Sequence, residues 1–387
     1  MVKVVFATIG NTRDIQRGSG TPFYLWQYLL KAGVEVHLVG PINIKIPIPT
    51  RVFKWLSKKA GKKYHSFRDP FVGRRLGSAV RKSIEGIDFD VLLTNDFCIA
   101  GYVDINKPVI LYTDYTYPMK SHDTLNERFS KLSRVSECFT RYTTKLGLLK
   151  ASLCLFASQF ASDNAVQYGV KSHYKVIPYG ANIEFVSDEL DRSMEKVIQK
   201  KRLDILFIGK DWEHKGGEIA IKVTQLLNSK GLTVHLHIVG VDFSDEIHDE
   251  SIHFYGLLNK DSHKEKEQLE GLFRNCDLLL VPSRAEGYGL VFVEAAAYGM
   301  PSLAFASTGL NTSVKHEVTG VLLPRGKGAE DFAEAILDFY DIPGKYDKLV
   351  KGARAHYLKI ANWQVATEEL ISLVEPLLLN ELAKGIK

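Results

Sequence analysis

Two glutamates around a glycine-rich turn are the residues of this sequence best suited to chemistry. Glu286 stands in Val281-Pro-Ser-Arg-Ala-Glu-Gly-Tyr-Gly-Leu290, and Glu294 follows inside an apolar run. The pattern predicts a strand that ends at Val281, a tight turn, and a helix that begins near Gly289 or Leu290. Free amide groups at a helix N-terminus favour an anion or sugar hydroxyls. A carboxylate within an apolar helix is costly unless it is paired, so Glu294 is either a ligand-binding residue or part of a structural salt bridge.

Two lysines flank a second predicted helix start. The segment reads Ile208-Gly-Lys210-Asp-Trp-Glu-His-Lys215-Gly-Gly217 and follows an apolar run. Ammonium groups beside a helix N-terminus are suited to binding a pyrophosphate. The alternative is that both lysines are solvated surface side chains, which is the usual fate of lysine. Combined with the glutamate motif, the lysines favour a phosphate-bearing ligand.

The elements that must position these residues form two series. Short apolar runs alternate with helical patterns, which is typical of parallel βαβ units. The predicted strands are 2–9, 34–39, 90–93, 109–112, 153–157 and 174–177, then 203–208, 233–239, 252–254, 278–281 and 302–305. We therefore predict an α/β protein with two doubly wound, Rossmann-like parallel-sheet domains that face each other across a cleft. Ligands in such sheets bind beyond the carboxyl ends of the strands.

The length of 387 residues also suits two domains. The predicted domains are residues 1–182 and 202–362, which the resemblance described below makes the acceptor side and the nucleotide side. The polar stretch 183–201 is the predicted linker, and 363–387 is a final helical segment.

Together these motifs resemble the signature of family 4 glycosyltransferases, also called glycosyl transferases group 1, which are retaining enzymes with the GT-B fold. The resemblance rests on Glu286-x7-Glu294 with the following Ala-x-Ala-x-Gly-x-Pro, and on Gly209-Lys210…Lys215-Gly216. Val176-Ile-Pro-Tyr-Gly180 resembles the family's Ile-Pro-Asn-Gly segment. Arg17-Gly-Ser-Gly20 resembles its glycine loop before the first helix.

The resemblance implies transfer of a sugar from a UDP- or GDP-sugar to a glycan, lipid-linked or other hydroxyl acceptor, in cell-envelope or polysaccharide synthesis. Lys210 and Lys215 would hold the donor diphosphate, Glu294 the ribose hydroxyls, and Glu286 the sugar hydroxyls. The implied catalytic set is Glu286, Lys215, Lys210 and Asp114. The implied donor-binding set is Gly18, Gly20, Gly209, Lys210, Lys215, Glu286, Gly287, Tyr288, Gly289, Leu290 and Glu294.

The sequence departs from the family pattern in two places. Family members often carry a histidine near the reacting carbon, whereas the segment here reads Leu111-Tyr-Thr-Asp114-Tyr-Thr-Tyr-Pro. Asp114 is therefore the candidate for that place. The segment after Ser307 lacks the glutamate common there. Trp363 resembles the tryptophan that opens the family's last helix, so we expect 365–382 to cross back onto the first domain.

Other classes of function fit the residues less well. An NAD-linked oxidoreductase needs G-x-G-x-x-G directly after the first strand, but Gly18-Ser-Gly20 follows Ile9 at a distance and Phe23 replaces the third glycine. A glycosidase needs two carboxylates around the bond, and the phosphate-site lysines favour transfer instead. A nucleotide-sugar epimerase of the same fold and a non-catalytic nucleotide-sugar-binding protein remain open as alternatives.

No cofactor or metal is predicted for the reaction. Asp88-Phe-Asp90 matches the D-x-D metal pattern of the other glycosyltransferase fold, but it stands at the entrance to an apolar strand. Two lysines and a helix N-terminus can instead stabilise the negative charge that builds on a leaving diphosphate.

The positive charge of the chain is concentrated in one segment. The net charge is +5, but between Lys45 and Lys82 twelve Lys/Arg stand against Asp69 alone, which leaves an acidic remainder. Within the basic segment 45–82, Arg51–Tyr64 has helical periodicity, with Val52, Phe53, Leu56 and Ala60 on one face. One interpretation is a surface helix packed on the sheet. The other is a site for an anionic membrane surface or a phosphate-bearing acceptor. Nucleic acid is not expected, because no nucleic-acid motif is present.

The compartment follows from cysteine usage and from the N-terminus. The four cysteines form no C-x-x-C pair, which favours a reducing compartment. The first ten residues read as a strand and not as a signal peptide. The most apolar stretch, 289–307, contains Glu, Gly and Pro and is no membrane span. We expect a cytoplasmic protein, peripheral at the inner face of the membrane.

Overall fold

The chain forms two compact units. The computed structural model describes residues 2–117, 131–171, 173–184, 192–307 and 309–385, with side chains as far as Leu379. One unit comprises Met1–Tyr179 with Trp363–Lys387, and the other comprises Gly180–Asn362. Residues 118–130 lie outside the described residues, as does part of the linker predicted at 183–201.

The first unit is built on a parallel sheet. Its described strands lie in the order β2-β1-β3-β4-β5-β6. They are β1 (Lys3–Ala7), β2 (Glu35–Val39), β3 (Val91–Thr94), β4 (Val109–Thr113), β5 (Leu153–Phe156) and β6 (Tyr174–Val176). The central strands are buried almost throughout, whereas β2 and β6 at the edges are partly exposed. This explains why the central strands read as continuous apolar runs in the sequence.

Helices and two short 3-10 turns connect these strands. The helices are α1 (Thr21–Lys31), α2 (Ile48–Lys59), α3 (Pro70–Ser83), α4 (Phe97–Tyr102), α5 (Arg134–Lys150) and α6 (Gln159–Gln167). The turns span Arg17–Gly20 and Ser66–Arg68. Asp96 and Ser158 accept hydrogen bonds from the first amides of α4 and α6, as side chains at helix N-caps do.

The second unit has a parallel sheet of the same kind. Its described strands lie in the order β12-β11-β10-β7-β8-β9. They are β7 (Leu203–Ile208), β8 (Val234–Val239), β9 (Ile252–Phe254), β10 (Leu278–Leu280), β11 (Ser302–Phe305) and β12 (Gly320–Leu323). The first five were predicted from the sequence within a residue or so, but β12 was not predicted. The predicted fold class of two doubly wound parallel sheets is confirmed.

The helices of the second unit follow the same alternation. They are α7 (Met194–Lys200), α8 (Trp212–Lys215), α9 (Gly217–Ser229), α10 (His263–Asn275), α11 (Leu290–Ala297), α12 (Leu310–Ser313), α13 (Ala329–Asp341) and α14 (Lys345–Lys359). Helix α7 lies within the stretch predicted as a linker, and Val197 on it is buried. Arg192 just before it donates to main-chain oxygens of Phe273 and Arg274 at 2.9 and 3.2 Å. Residues 192–200 therefore pack within the second unit.

The last helix, α15 (Trp363–Gly385), belongs to the first unit, as predicted for 365–382. Trp363 is 1% exposed, and its ring lies 5.3 Å from that of Tyr179. Leu370 and Val374 are buried, and Glu369 pairs with Lys175 at 2.6 Å. The helix also contacts α1.

The predicted amphipathic segment forms helix α2. Its packing differs from the interpretation in which the apolar face packs on the sheet. Val52 and Leu56, expected to pack on the sheet, are about half exposed, and Ala60 lies beyond the helix. Thr50 and Ser57 are buried instead. Among the described residues, no helix is both long enough and apolar enough to cross a lipid bilayer.

Candidate functional site

The glutamate and lysine motifs follow neighbouring strands of the second unit. Strands β7 and β10 pair directly, through Ile205 with Leu278 and Leu206 with Leu279. The chain leaves β7 toward β8 on one side and leaves β10 toward β11 on the other side. The loops after these two strands therefore meet at the topological switch point, where doubly wound sheets bind ligands.

The loop after β7 places Lys215 in a short helix. Asp211 accepts a hydrogen bond from the His214 amide at 3.1 Å and so starts α8. Gly216 then has a φ of 76°, and a Cβ there would lie 2.9 Å from Pro282 Cγ, so only glycine fits this close approach. At Gly209 a Cβ would lie 2.7 Å from Lys215 Cγ. Gly209 thus leaves space for the Lys215 side chain.

Lys215 and Glu286 are in direct contact. Lys215 Nζ donates a hydrogen bond to Glu286 Oε1, and the same oxygen accepts one from Ser283 Oγ at 2.7 Å. The Glu286 side chain is only 11% exposed and that of Lys215 22%. The structure therefore brings together a lysine and a glutamate that lie 71 residues apart in sequence.

One side-chain contact and one main-chain hydrogen bond join the two loops around this pair. His214 Nε2 lies 2.9 Å from the Ala285 carbonyl oxygen, and the Arg284 amide donates to the His214 carbonyl oxygen at 2.9 Å. These contacts hold the Glu286 loop against α8. Lys210, by contrast, is exposed, and among the described residues it has no ion-pair partner.

Glu294 forms a second lysine–glutamate pair. It lies in α11 with its side chain 9% exposed, and Lys260 Nζ donates to its Oε1 at 2.9 Å. Lys260 Nζ also donates to the Asn182 carbonyl oxygen at 2.9 Å. The salt bridge that was the alternative interpretation of Glu294 is therefore present.

The turn between the glutamates leads into α11 as predicted. Gly289 is the N-cap of α11, and its φ of 83° is a left-handed conformation that favours glycine. Tyr288 is buried, and its carbonyl oxygen accepts a hydrogen bond from Ser313 Oγ at 2.6 Å. Burial raises the pKa of the Tyr288 hydroxyl. The amides at the start of α11 carry the positive end of its dipole.

Three predicted residues lie in the first unit. Gly18 and Gly20 have φ values of 55° and 87° in the turn before α1. Asp114 directly follows β4 and is partly buried. All three thus follow strands β1 and β4 on the carboxyl side of their sheet. Their roles in binding or catalysis stay predictions.

Asp88 and Asp90 contact the first strand of the same unit. Asp88 pairs with Lys3 Nζ at 2.6 Å, and Asp90 accepts a hydrogen bond from the Lys3 amide at 2.8 Å. Within the described ranges, no three His, Cys, Asp or Glu side chains are grouped closely enough to hold a metal ion.

Three contact residues of the site were missed by sequence reasoning: Ser283, Lys260 and His214. Ser283 belongs to the glutamate motif, but the sequence predicts no role for it. It stands three positions before Glu286, so local spacing could have found it. Lys260 lies 34 residues from Glu294, and no local pattern links the two. Only the fold reveals that pair.

Comparison with solved structures identifies the class of fold. Sucrose-phosphate synthase from Thermosynechococcus elongatus matches with a TM-score of 0.68 at 17% identity, covering 98% of this chain and 100% of that chain. The Anabaena HepE protein in complex with UDP-glucose matches with a TM-score of 0.63 at 18% identity, covering 97% and 100%. Identities this low show the fold alone. With its two doubly wound parallel sheets, the protein has the GT-B fold.

Sequence comparison finds a family model that matches part of the chain. Residues 190–356 match the model described as "Glycosyl transferases group 1". D-inositol 3-phosphate glycosyltransferase 1 of Catenulispora acidiphila is 39% identical over 106 residues, 27% of this chain and 25% of that protein. An "Uncharacterized 41.2 kDa protein in cps region" of Klebsiella pneumoniae is 28% identical over 181 residues, 46% and 49% of the two chains. These matches span about half the length of the relatives or less. This match over residues 190–356, together with the GT-B fold, confirms the resemblance to group 1 glycosyltransferases.

Proposed function

We propose that the protein is a retaining glycosyltransferase that uses a nucleotide-diphosphate sugar, a UDP- or GDP-sugar, as its donor. The observation that carries the proposal is the Lys215–Glu286 contact at the junction of the loops after β7 and β10. It brings an ammonium group and a carboxylate together at the switch point of a doubly wound sheet. The family match over the same unit supports the proposal.

The lysines bind the donor diphosphate in this proposal. An ammonium group has three donor hydrogens, so Lys215 can contact a phosphate oxygen while it still bonds Glu286. Lys210 is exposed and adds a second positive charge. The amides of Gly287–Leu290 at the start of α11 supply further donors. Together these groups stabilise the charge that develops on the leaving diphosphate, and the proposed reaction needs no metal.

The glutamates bind hydroxyl groups of the donor. Glu286 uses Oε1 for Lys215 and Ser283, which leaves Oε2 for a sugar hydroxyl. Glu294 uses Oε1 for Lys260, which leaves its other oxygen for the ribose hydroxyls. A lysine that pairs with a carboxylate already holds it in one orientation. The carboxylate can therefore accept such hydrogen bonds without first being released from bound water.

The acceptor is proposed to be a glycan, a lipid-linked sugar or another hydroxyl compound in cell-envelope or polysaccharide synthesis. We place the protein in the cytoplasm at the inner face of the membrane, with Arg51–Tyr64 toward the anionic surface. Cys98, Cys138, Cys154 and Cys276 are free thiols, which agrees with a reducing compartment.

The test is release of UDP or GDP from a panel of donor sugars with glycan and lipid-linked acceptors. Lys215→Met and Glu286→Gln are each expected to lower the rate about a hundredfold or more, because each removes a group that acts on the transition state. Lys222→Met is the matched control, since Lys222 is an exposed lysine of the same unit, on α9. Its rate should equal that of the unchanged protein.

Four further readouts test this proposal and its alternatives. Retention predicts that the product has the anomeric configuration of the donor, which NMR measures. Full activity in the presence of EDTA supports the metal-free reaction. Epimerised donor without acceptor points to an epimerase. Nucleotide binding without turnover of any donor points to a non-catalytic binding protein, and either result contradicts the proposal.

A further inference from the structure

Helix α2 exposes its apolar side to solvent. With about 100° per residue, one stripe of the helix carries four apolar side chains within an arc of about 100°. These side chains are strongly exposed: Ile48 73%, Val52 48%, Trp55 54% and Leu56 49%. The opposite side carries Thr50 and Ser57, which are 0% and 5% exposed. The helix therefore buries hydroxyl groups and presents aliphatic and aromatic groups outward.

Specific contacts hold α2 in this orientation. Ser57 Oγ donates to Ser133 Oγ at 2.7 Å. The Phe53 ring stacks on Tyr64 at 6.4 Å and meets the edge of Phe139 at 5.6 Å. Rotation of the helix to bury its apolar stripe would break all three contacts. The outward stripe is thus a fixed feature of the first unit.

A basic groove adjoins the stripe. It encloses about 580 Å³ and is lined by Lys54, Lys58, Lys62, Lys63, Tyr64, His65 and Leu132. Its wall is fixed by main-chain hydrogen bonds, from the Lys63 amide to the Lys131 oxygen at 2.6 Å and from the Ser133 amide to the Lys63 oxygen at 3.0 Å. We call these residues the lysine groove.

The charge of the lysine groove is not neutralised by the described protein. None of its four lysines forms an ion pair with a described carboxylate. The one acid of the 45–82 segment, Asp69, is buried and accepts hydrogen bonds from Tyr64 Oη at 2.6 Å and the Phe71 amide at 2.7 Å. The groove therefore offers several ammonium groups to an external anion.

An anionic bilayer surface matches both features. It supplies phosphate groups for lysines and an apolar boundary for the stripe, as interfacial amphipathic helices require. Tryptophan suits the headgroup region, and Lys59 Nζ lies 4.1 Å from the centre of the Trp55 ring. A protein partner fits less well, because lysine is depleted from protein–protein interfaces.

We propose that α2 and the lysine groove form one membrane-docking site for anionic phospholipid. Ile48, Val52, Trp55 and Leu56 enter the headgroup region, while the groove holds a lipid phosphate. The inference rests on the proposed membrane location of the protein and specifies which atoms make the contact. It is independent of the donor chemistry of the second unit.

The test measures sedimentation of the full chain with phosphatidylcholine vesicles, with and without phosphatidylglycerol. The groove variant is Lys58→Gln/Lys62→Gln/Lys63→Gln, and the stripe variant is Val52→Ser/Leu56→Ser. Each basic residue near an anionic surface strengthens binding about fivefold, so the groove variant should bind at least tenfold more weakly. The stripe variant should also lose at least tenfold in binding, and brominated lipid should quench Trp55 in the unchanged chain but not in either of these two variants.

The matched control is Lys222→Gln/Lys230→Gln/Lys264→Gln, which removes three exposed lysines of the second unit. It should bind vesicles normally, and all variants should bind UDP as the unchanged chain does. If the unchanged chain does not bind UDP, that result contradicts the proposed function and leaves the docking site untouched. Equal binding to vesicles without phosphatidylglycerol, or undiminished binding of either docking variant, overturns the docking site. So does self-association of the lipid-free chain through the stripe, or binding of inorganic pyrophosphate in the groove without vesicle binding.

Discussion

Each buried or nearly buried glutamate of the candidate site has a lysine partner. Lys215 contacts Glu286 and Lys260 contacts Glu294, so each carboxylate has an opposite charge beside it. Removing one member of such a pair leaves an uncompensated charge, which costs more than the pair itself contributes. A lysine substitution in this site therefore affects the fold as well as binding. Activity measurements on these variants need a parallel measurement of the free energy of unfolding.

The burial of His356 makes the free energy of unfolding depend on pH. Burial, together with the positive charge of Lys315, lowers the pKa of His356 to about 4 from the ordinary value of 6.5. In the unfolded chain His356 therefore binds a proton near pH 6.5, whereas in the folded chain it binds one only near pH 4. The free energy of unfolding should fall as pH is lowered through this window, by about 3 kcal/mol at most.

Urea unfolding at several pH values measures this effect. His356→Leu should show a flatter profile between pH 6.5 and 4, because it has no proton to take up. His248→Leu is the control, since His248 is exposed. Identical slopes for His356→Leu and the unchanged chain would contradict the role of His356.

At the scale of elements, Arg192 connects the start of the second unit to the end of α10. Its guanidinium donates to main-chain oxygens of Phe273, Arg274 and Cys276, which the helix itself leaves without partners. A cation at a helix C-terminus is also favoured by the helix dipole. Arg192→Ala should lower the free energy of unfolding by about 1–3 kcal/mol, because it leaves partly buried carbonyl groups unsatisfied.

Chemical denaturation compares this variant with Arg274→Ala. Arg274 lies on the same helix end, but its pair with Glu270 is partly exposed and 3.5 Å long. Such surface pairs contribute little, so the control should change stability by less than about 0.5 kcal/mol. Equal effects of the two substitutions on the free energy of unfolding would show that the carbonyl contacts of Arg192 do not stabilise the fold.

The strands and the site loops could be predicted because their signals are local. Buried parallel strands are continuous apolar runs, and the turns at Gly216 and Gly289 require the glycines that the motifs display. Strand β12 was missed because Gly320–Leu323 is short and begins with glycine. The outward stripe of α2 could not be predicted, since periodicity identifies an apolar face but not the element it meets. That depends on Ser133 and Phe139, distant residues in the sequence.

For the whole molecule, the two units should respond differently to loss of the last helix. Trp363 is 1% exposed and packs on Tyr179 within the first unit. Trp363→Ala should cost about 3–5 kcal/mol, as large-to-small changes in a core do. Hydrogen exchange should show the loss in α1 and its sheet, while β7 and β8 of the second unit keep their protection.

Trp55→Ala serves as the control, because Trp55 is 54% exposed. It should leave exchange in both units unchanged. Equal loss of protection in both units of the Trp363→Ala protein would mean that they unfold as one cooperative body.

The path of the chain has a consequence for how the protein is made. The first unit is discontinuous: the chain leaves it after Tyr179 and re-enters it at Trp363. A ribosome synthesises the sheet of this unit first, but α15 emerges only after all of Gly180–Asn362. Domains fold as units during synthesis. The second unit can therefore complete its fold first. The first unit is synthesised earlier, but part of its apolar surface stays exposed until its last helix has been made.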